Sequence, residues 1–379
     1  MAKYISLSLL VVLLLSPVFV WSQGTTVSAD DVKWSRVNTP AEGDAGNWVL
    51  ANGSDIKHLA MSANGTLYAY AQGPTYTLYR SADGGQWSYL GDVQDSIVDI
   101  AISPQDENTI YYATTANVYR STDGGKKFYQ LPAYPGGAGS NNIEITDIAV
   151  THLSKNIVAV ATRDTDNAEY GGVFTLDEEP VIPSWSDSHI GSYDVYALEF
   201  SPSYTADRQL VAVATDETDT FVRFKNGGAD WGATTGDARL DKDNSGIPTP
   251  VVVSSPAAIA FPSDYEGTSA DTALFIAIDA GSNNGDAYKI AAAESPGSSP
   301  ATDLNVASAY GMSNIDITGL AASGADAATY LLAGAARSAQ TYYSSDGGLN
   351  WDRSRKQPTG GTRTYVLMNT YFEDCQQAY

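Results

Sequence analysis

The side chains in this 379-residue sequence whose types and spacing could do chemistry are mostly acidic. Asp241-Lys-Asp243-Asn-Ser245-Gly246 alternates oxygen ligands ahead of a glycine able to make a sharp turn, which is how a calcium loop begins. The bidentate Glu expected at the twelfth position is missing, because Val252 stands there. Asp241, Asp243 and Ser245 are therefore either weak calcium ligands or part of a solvated acidic loop. Asp164-Thr-Asp166-Asn167 is a second oxygen cluster open to the same two readings. His58, His152 and His189 are scattered and isolated, so no zinc site is marked. Hydrolysis of a glycosidic bond needs two carboxyls roughly 5–10 Å apart. The 44 Asp and Glu residues guarantee chance pairs, and spacing singles out none of them as a catalytic centre. No cofactor other than calcium is implied.

The acids outnumber the bases enough to leave a formal net charge of −23. Such a field repels phosphate backbones and anionic membrane surfaces, which argues against a nucleic-acid partner and leaves cations, basic proteins and glycans. Cys375 is the single cysteine, so the fold must hold without internal disulfides. That suits a large sheet-rich domain.

The N-terminus reads as an export signal. Lys3 supplies the positive end, Ile5 to Val20 is an apolar run broken by Ser6, Ser8, Ser16 and Pro17, and Ser22 closes it. This predicts a signal peptide over residues 1–22, a single domain over 23–379, and a secreted, periplasmic or cell-surface protein with no membrane insertion after cleavage. The alternative is an uncleaved anchor, since the run falls just short of the roughly 20 residues a spanning helix needs. Asn52-Gly-Ser54 and Asn64-Gly-Thr66 match the glycosylation acceptor pattern.

The elements that must carry these residues are repeats. One apolar strand recurs as Ile56–Met61, Ile97–Ile102, Ile145–Val150, Val195–Phe200, Ala257–Phe261, Ile317–Ala322 and Tyr365–Met368, with successive starts 41 to 62 residues apart. A four-stranded propeller blade takes roughly 40–50 residues, so seven copies predict seven blades. Second strands follow at Thr109–Thr114, Ile157–Ala161, Leu210–Ala214 and Leu274–Ile278, β-branched and aromatic runs bounded by turn signals. A third strand then leads into a hairpin. Ser81-Ala-Asp83-Gly-Gly85-Gln-Trp87, Ser121-Thr-Asp123-Gly-Gly125-Lys-Lys-Phe128 and Ser344-Ser-Asp346-Gly-Gly348-Leu-Asn-Trp351 are three copies, and Asn226-Gly-Gly228-Ala-Asp-Trp231 is a fourth with Asn for the acid. Asp and Asn can bond their own backbone two residues on, and paired glycines accept positive φ, so the turn is locally programmed. Gly171-Gly172 and Asn284-Gly285 are expected at similar places in the blades without a box.

At these hairpins the sequence resembles the Asp-box, or bacterial neuraminidase repeat, family, whose box runs Ser-x-Asp-x-Gly-x-x-Trp. The resemblance covers roughly residues 34–370, with one residue fewer before Trp87 and Phe128 in place of Trp. It implies an all-β propeller whose seventh blade is incomplete and closed by the N-terminal strand: Trp34-Ser-Arg-Val37 matches the strand after a box and would pair with Tyr365–Met368. A sialidase of this kind would also carry an Arg-Ile-Pro motif and an arginine triad. Here the N-terminal stretch reads Arg36-Val-Asn-Thr-Pro40, and Arg80 and Arg120 hold repeat positions. The related xyloglucan-cleaving enzymes use two propellers, against one here. The blades are also similar to those of photosystem II assembly factor-like and sortilin-like propellers, which bind protein or peptide. The expected function is thus a non-catalytic binding or scaffolding module for a protein or glycan ligand, the alternatives being a secreted glycoside hydrolase or a surface-layer component.

Overall fold

The computed structural model describes residues 55–379 apart from 73–77, 83–85, 92, 94, 133, 141, 270–271, 292–300, 326–327 and 356–360. Its strands form six four-stranded antiparallel sheets, each built in chain order from the axis outward. Blade one contains β1 (Asp55–Met61), β2 (Leu67–Gln72), β3 (Leu78–Ser81) and β4 (Ser88–Gly91). Blade two contains β5 (Asp99–Ile102), β6 (Ile110–Ala113), β7 (Val118–Ser121) and β8 (Tyr129–Gln130). In blade three, β9 (Ile143–His152), β10 (Asn156–Asp164), β11 (Gly172–Asp177) and β12 (Trp185–Asp187) follow. Blade four has β13 (Asp194–Phe200), β14 (Gln209–Thr215), β15 (Thr220–Asn226) and β16 (Ala238–Leu240). β17 (Ala258–Ala260), β18 (Ala273–Ala277), β19 (Ala287–Ala291) and β20 (Thr302–Asp303) make blade five, and β21 (Ile317–Ser323), β22 (Tyr330–Ala335), β23 (Thr341–Ser344) and β24 (Asp352–Arg353) make blade six.

The second strands are buried over most of their length, and throughout in Ile110–Ala113 and Gln209–Thr215, because each is covered on both faces by neighbouring blades. The core is accordingly a series of clusters lying between blades. One packs Val211, Val213 and Val222 of blade four against Leu274, Ile276 and Tyr288 of blade five. Burying a Val or Leu side chain stabilises by about 1.5–3 kcal/mol, and this inter-blade burial holds a chain whose single cysteine is free and exposed.

The expected seven blades are corrected to six among the described residues. Six of the seven apolar repeats start inner strands, but Tyr365–Met368 builds no four-stranded sheet. Its backbone bonds go to its own return instead. Leu367 and Tyr379 exchange N–H···O bonds of 2.9 and 2.7 Å, and Asn369 N–H donates to Gln377 O, around the short helix α1 (Phe372–Cys375). Val366 and Met368 pack on blade six, while Leu367 and Tyr379 pack on blade one. The ring is thus closed by a folded-back C-terminal segment wedged between the first and last blades. Gly334 makes room for it, since a Cβ there would stand 2.0 Å from Thr364 O. Trp34–Val37, the expected closing strand, lies outside the described residues, as do residues 1–22 and Asn52. Among the described residues no helix is long and apolar enough to cross a membrane.

Candidate functional site on the propeller axis

The inner strands carry a polar arc. Aligned by ladder position, the residue three before Met61, Ile102, Val150, Phe200, Phe261 and Ala322 is His58, Asp99, Asp147, Ala197, Ala258 and Gly319 in turn. Blades one to three place a titratable group there and blades four to six place small residues. A register shift precedes this position in blades one, three, four and six, and bulges of this kind re-aim a side chain. Two residues further on, five blades carry Ala60, Ala101, Ala149, Ala260 and Ala321, but blade four carries Glu199.

The arc is continuous in space. Tyr365 of the C-terminal wedge lies with its ring centroid 5.2 Å from His58, and His58 Nδ1 is 3.5 Å from Asp99 Oδ1. Asp99 hydrogen-bonds the Asp147 carboxyl. Asp147 is fixed by two backbone donors, Ile148 N–H at 2.9 Å and, across the blade junction, Leu198 N–H at 2.7 Å. Loss of hydration, then the charge of Asp99 and the hydrogen bond with it, push the Asp147 carboxyl well above the usual range. Burial pushes Glu199 up to about 8, with Asp99 adding to the effect against the Phe200 N–H. The carboxyls of Asp147 and Glu199 are thus biased toward their protonated forms, Glu199 through neutral pH. An incoming cation would displace those protons and pair with the carboxylates.

The hairpin residues have a different job. In blade two Ser121 Oγ donates to Asp123 Oδ1 at 2.8 Å and accepts from Gly125 N–H at 2.9 Å, while Asp123 Oδ1 accepts from Lys127 N–H at 3.0 Å. Blade six repeats this with Ser344, Asp346, Gly348 and Asn350 at 2.8, 3.0 and 2.9 Å. Both turns join third to fourth strands and lean on the preceding blade, where Gly125 meets Leu90 and Gly348 meets Leu304. Asn226 holds the same place in blade four, yet its side chain finds no partner among the described residues, and Trp231 Nε1 donates to Ser188 O instead. Gly228 has open space around it. Trp87 and Trp351 are buried on their blades and Phe128 stacks edge-on to Tyr112. Ser81 ends β3, whereas Asp83 and Gly85 lie outside the described residues.

Gly171-Gly172 and Asn284-Gly285 are not at the box position. They sit between second and third strands, where Asp194 Oδ1 accepts from Gly171 N–H at 3.0 Å and Asp316 Oδ1 from Gly285 N–H at 2.9 Å. These two acids, each one residue ahead of an inner-strand repeat, clamp the preceding blade's turn. The Asp164 cluster belongs to the first clamp, since Asp164 N–H donates to Asp194 Oδ1 at 2.8 Å. In the 241–246 loop, Asp241 Oδ1 is taken by Arg239 and by Thr249 N–H, and Asp243 Oδ1 by Ser245 N–H at 2.8 Å. Ser245 Oγ accepts from Ile247 N–H at 3.3 Å. Among the described residues no three His, Cys, Asp or Glu side chains converge to hold a metal ion.

The sequence profile of a family described as the DUF6242 beta propeller domain matches residues 22–290. The chain belongs to that family. A search of curated protein sequences finds no match. Among solved structures, this DUF6242 propeller is similar to YCF48 from Cyanidioschyzon merolae (TM-score 0.54, 14% identity, 83% of this chain and 90% of that one). It is also similar to an ancestral GH74 enzyme (TM-score 0.52, 15% identity), of which it spans 40% of the length against 88% of its own. U3-55K gives 0.55 at 10% identity, over 85% of this chain and 87% of that one. At these identities the likeness is one of fold. His58, isolated in the sequence, thus joins Asp99, Asp147 and Glu199 in a site that the DUF6242 propeller assembles only when its blades close.

Proposed function

We propose that this propeller is an exported, non-catalytic binding module whose axial arc accepts a cationic group of a protein or peptide ligand. The observation that carries the proposal is the one-sided ring: His58, Asp99, Asp147 and Glu199 on consecutive blades, with Ala258 and Gly319 across from them. A guanidinium or ammonium group would meet carboxylates on one side and no bulky side chain on the other, and the net charge of −23 would draw it in. Glycoside hydrolysis is disfavoured at the Asp99–Asp147 pair, because carboxyls hydrogen-bonded to each other leave no room for a sugar ring between them. The Ser-x-Asp-x-Gly hairpins fit the Asp-box reading, as supports between blades. Export rests on the signal-like residues 1–22 and is checked by N-terminal sequencing of the cell-free fraction, which should begin at Gln23.

The test is fluorescence anisotropy with short labelled oligoarginine and oligoglutamate peptides of equal length. Oligoarginine should bind at low salt and the acidic peptide should not, with Asp99→Asn weakening the former by roughly ten-fold or more, the scale of one lost charge-assisted contact. Equal binding of both peptides, or none by either, would overturn the proposal.

A further inference from the structure

Blade five and the loop beside it hold a second set of acids, far from the axial arc in the chain and unused by it. Asp286, just ahead of β19, directs Oδ1 to the N–H groups of Ala287 at 2.8 Å and Val306 at 3.1 Å. Asp303, the last residue of β20, directs Oδ1 to Asn305 N–H at 2.9 Å. The other carboxylate oxygen of each, Oδ2 of Asp286 and Oδ2 of Asp303, is buried with no partner among the described residues, and so is the hydroxyl of Tyr288. All three residues are at most 3% exposed. Tyr288 and Asp303 face each other across the β19–β20 ladder.

The surrounding charges do not relieve them. Arg239 is engaged by Asp219 and Asp241, and Arg337 by Asp279 and Asp316, so Asp286 and Asp303 have no cationic partner among the described residues. The further acids felt by this group are Asp241, Asp243 and Asp316. Ile315 N–H eases the Asp286 carboxylate as well, but protonation alone is no remedy, because a protonated carboxyl becomes a donor that still needs an acceptor and neither Oδ2 atom has one among the described residues. Buried unpaired charge and buried unpaired donors are both unfavourable. Over the group lies the 241–246 loop, whose Asn244 grips the Asp303 backbone in both directions at 2.8 and 2.9 Å. Lys242 O in the same loop accepts from Asn314 Nδ2 at 2.9 Å.

We infer that Asp286 Oδ2, Asp303 Oδ2 and the Tyr288 hydroxyl bind a hard divalent cation of the calcium type beneath the 241–246 loop. The loop that resembles a calcium motif is then the cover of the site, not its ligand set. Two carboxylates are fewer than a tight calcium site supplies, so the cation keeps part of its water and the affinity falls at the weak end for Ca²⁺, about 10⁻⁴–10⁻³ M.

Calorimetric titration of CaCl₂ into the chelator-treated full chain tests this. Wild type should bind one Ca²⁺ in that range, with a melting temperature raised by saturating Ca²⁺, and Asp303→Asn and Asp286→Asn should each weaken binding at least ~10-fold. The rise in melting temperature on adding Ca²⁺ should shrink in each variant relative to its own value in chelator. Tyr288→Phe, which keeps the ring, provides a variant with little effect on packing and should weaken Ca²⁺ more modestly. If an Asn variant fails to fold, the Ca²⁺-dependent rise of the wild-type melting temperature and its reduction in Tyr288→Phe still test the site. No binding by wild type, or undiminished binding by the folded carboxylate variants, would overturn the assignment.

Discussion

Asp147 and Glu199 keep protons that an exposed carboxyl would give up, and stability must therefore depend on pH. Glu199 is raised to about 8 and Asp303, through burial foremost, to about 7, whereas both ionise near 4 when unfolded. Between those values the native state binds more protons, so their stabilising contribution is full below about pH 4 and is lost as pH rises through 7–8. Asp123 and Asp346 act in the opposite sense. The Ser121 hydroxyl and Lys127 N–H hold Asp123 low, and at Asp346 the donors of Asn350 and Ser344 outweigh burial. Their contribution is lost as pH falls through their lowered values. In chelator, the melting temperature should rise from pH 8.5 to about 5.5 and fall again below about 4, and Glu199→Gln should flatten the alkaline limb. A melting temperature that climbs from pH 6 to 8.5 would contradict these assignments. Ser344→Ala removes a buried hydroxyl that serves Gly348 N–H and Asp346; it should cost about 1–2 kcal/mol in urea denaturation. The arc itself was half-visible in the sequence. Aligning the repeats puts His58, Asp99 and Asp147 in one column and Glu199 in a column of alanines, but only the closed ring shows that neighbouring blades make them touch.

Hairpins and inner strands were legible because their instructions are local. A Ser, an Asp and paired glycines determine a turn within a few residues, and an apolar run with turn signals at either end determines a strand. The structure refines what the glycines do. Gly65 and Gly348 both adopt positive φ, +87° and +88°, but a Cβ at Gly65 meets nothing while one at Gly348 stands 2.8 Å from Leu304. Gly65→Ala should cost about 1–2 kcal/mol from backbone strain alone. Gly348→Ala should cost more, since overpacking adds about 1–3 kcal/mol to the same strain. Equal unfolding free energies for the two variants would remove the contact between the turn and blade five. The blade count was not legible for the opposite reason. Tyr365–Met368 has the composition of an inner strand, yet strand identity depends on which chain comes to pair with it, and here its own C-terminal return does so.

For the molecule as a whole, closure without disulfides rests on that wedge, which joins the apolar faces of blades six and one. Deleting residues 364–379 should uncover Ala321 and Leu332 on blade six and Leu67 on blade one. The expected result is a lower melting temperature and a shift to oligomers in size-exclusion chromatography, and a monomer of unchanged melting temperature would show that the ring closes without it. Family membership and fold say nothing of the ligand, so the central claim stands on the axial arc. Its most direct test is the affinity of oligoarginine for wild type, for Asp99→Asn with Glu199→Gln, and for the exposed control Asp230→Asn. The paired change on the axis should reduce affinity by roughly two orders of magnitude, while Asp230→Asn leaves it within about two-fold of wild type. Equal losses in the axial and surface variants would mean that net charge alone attracts the peptide, and the arc would not be its site.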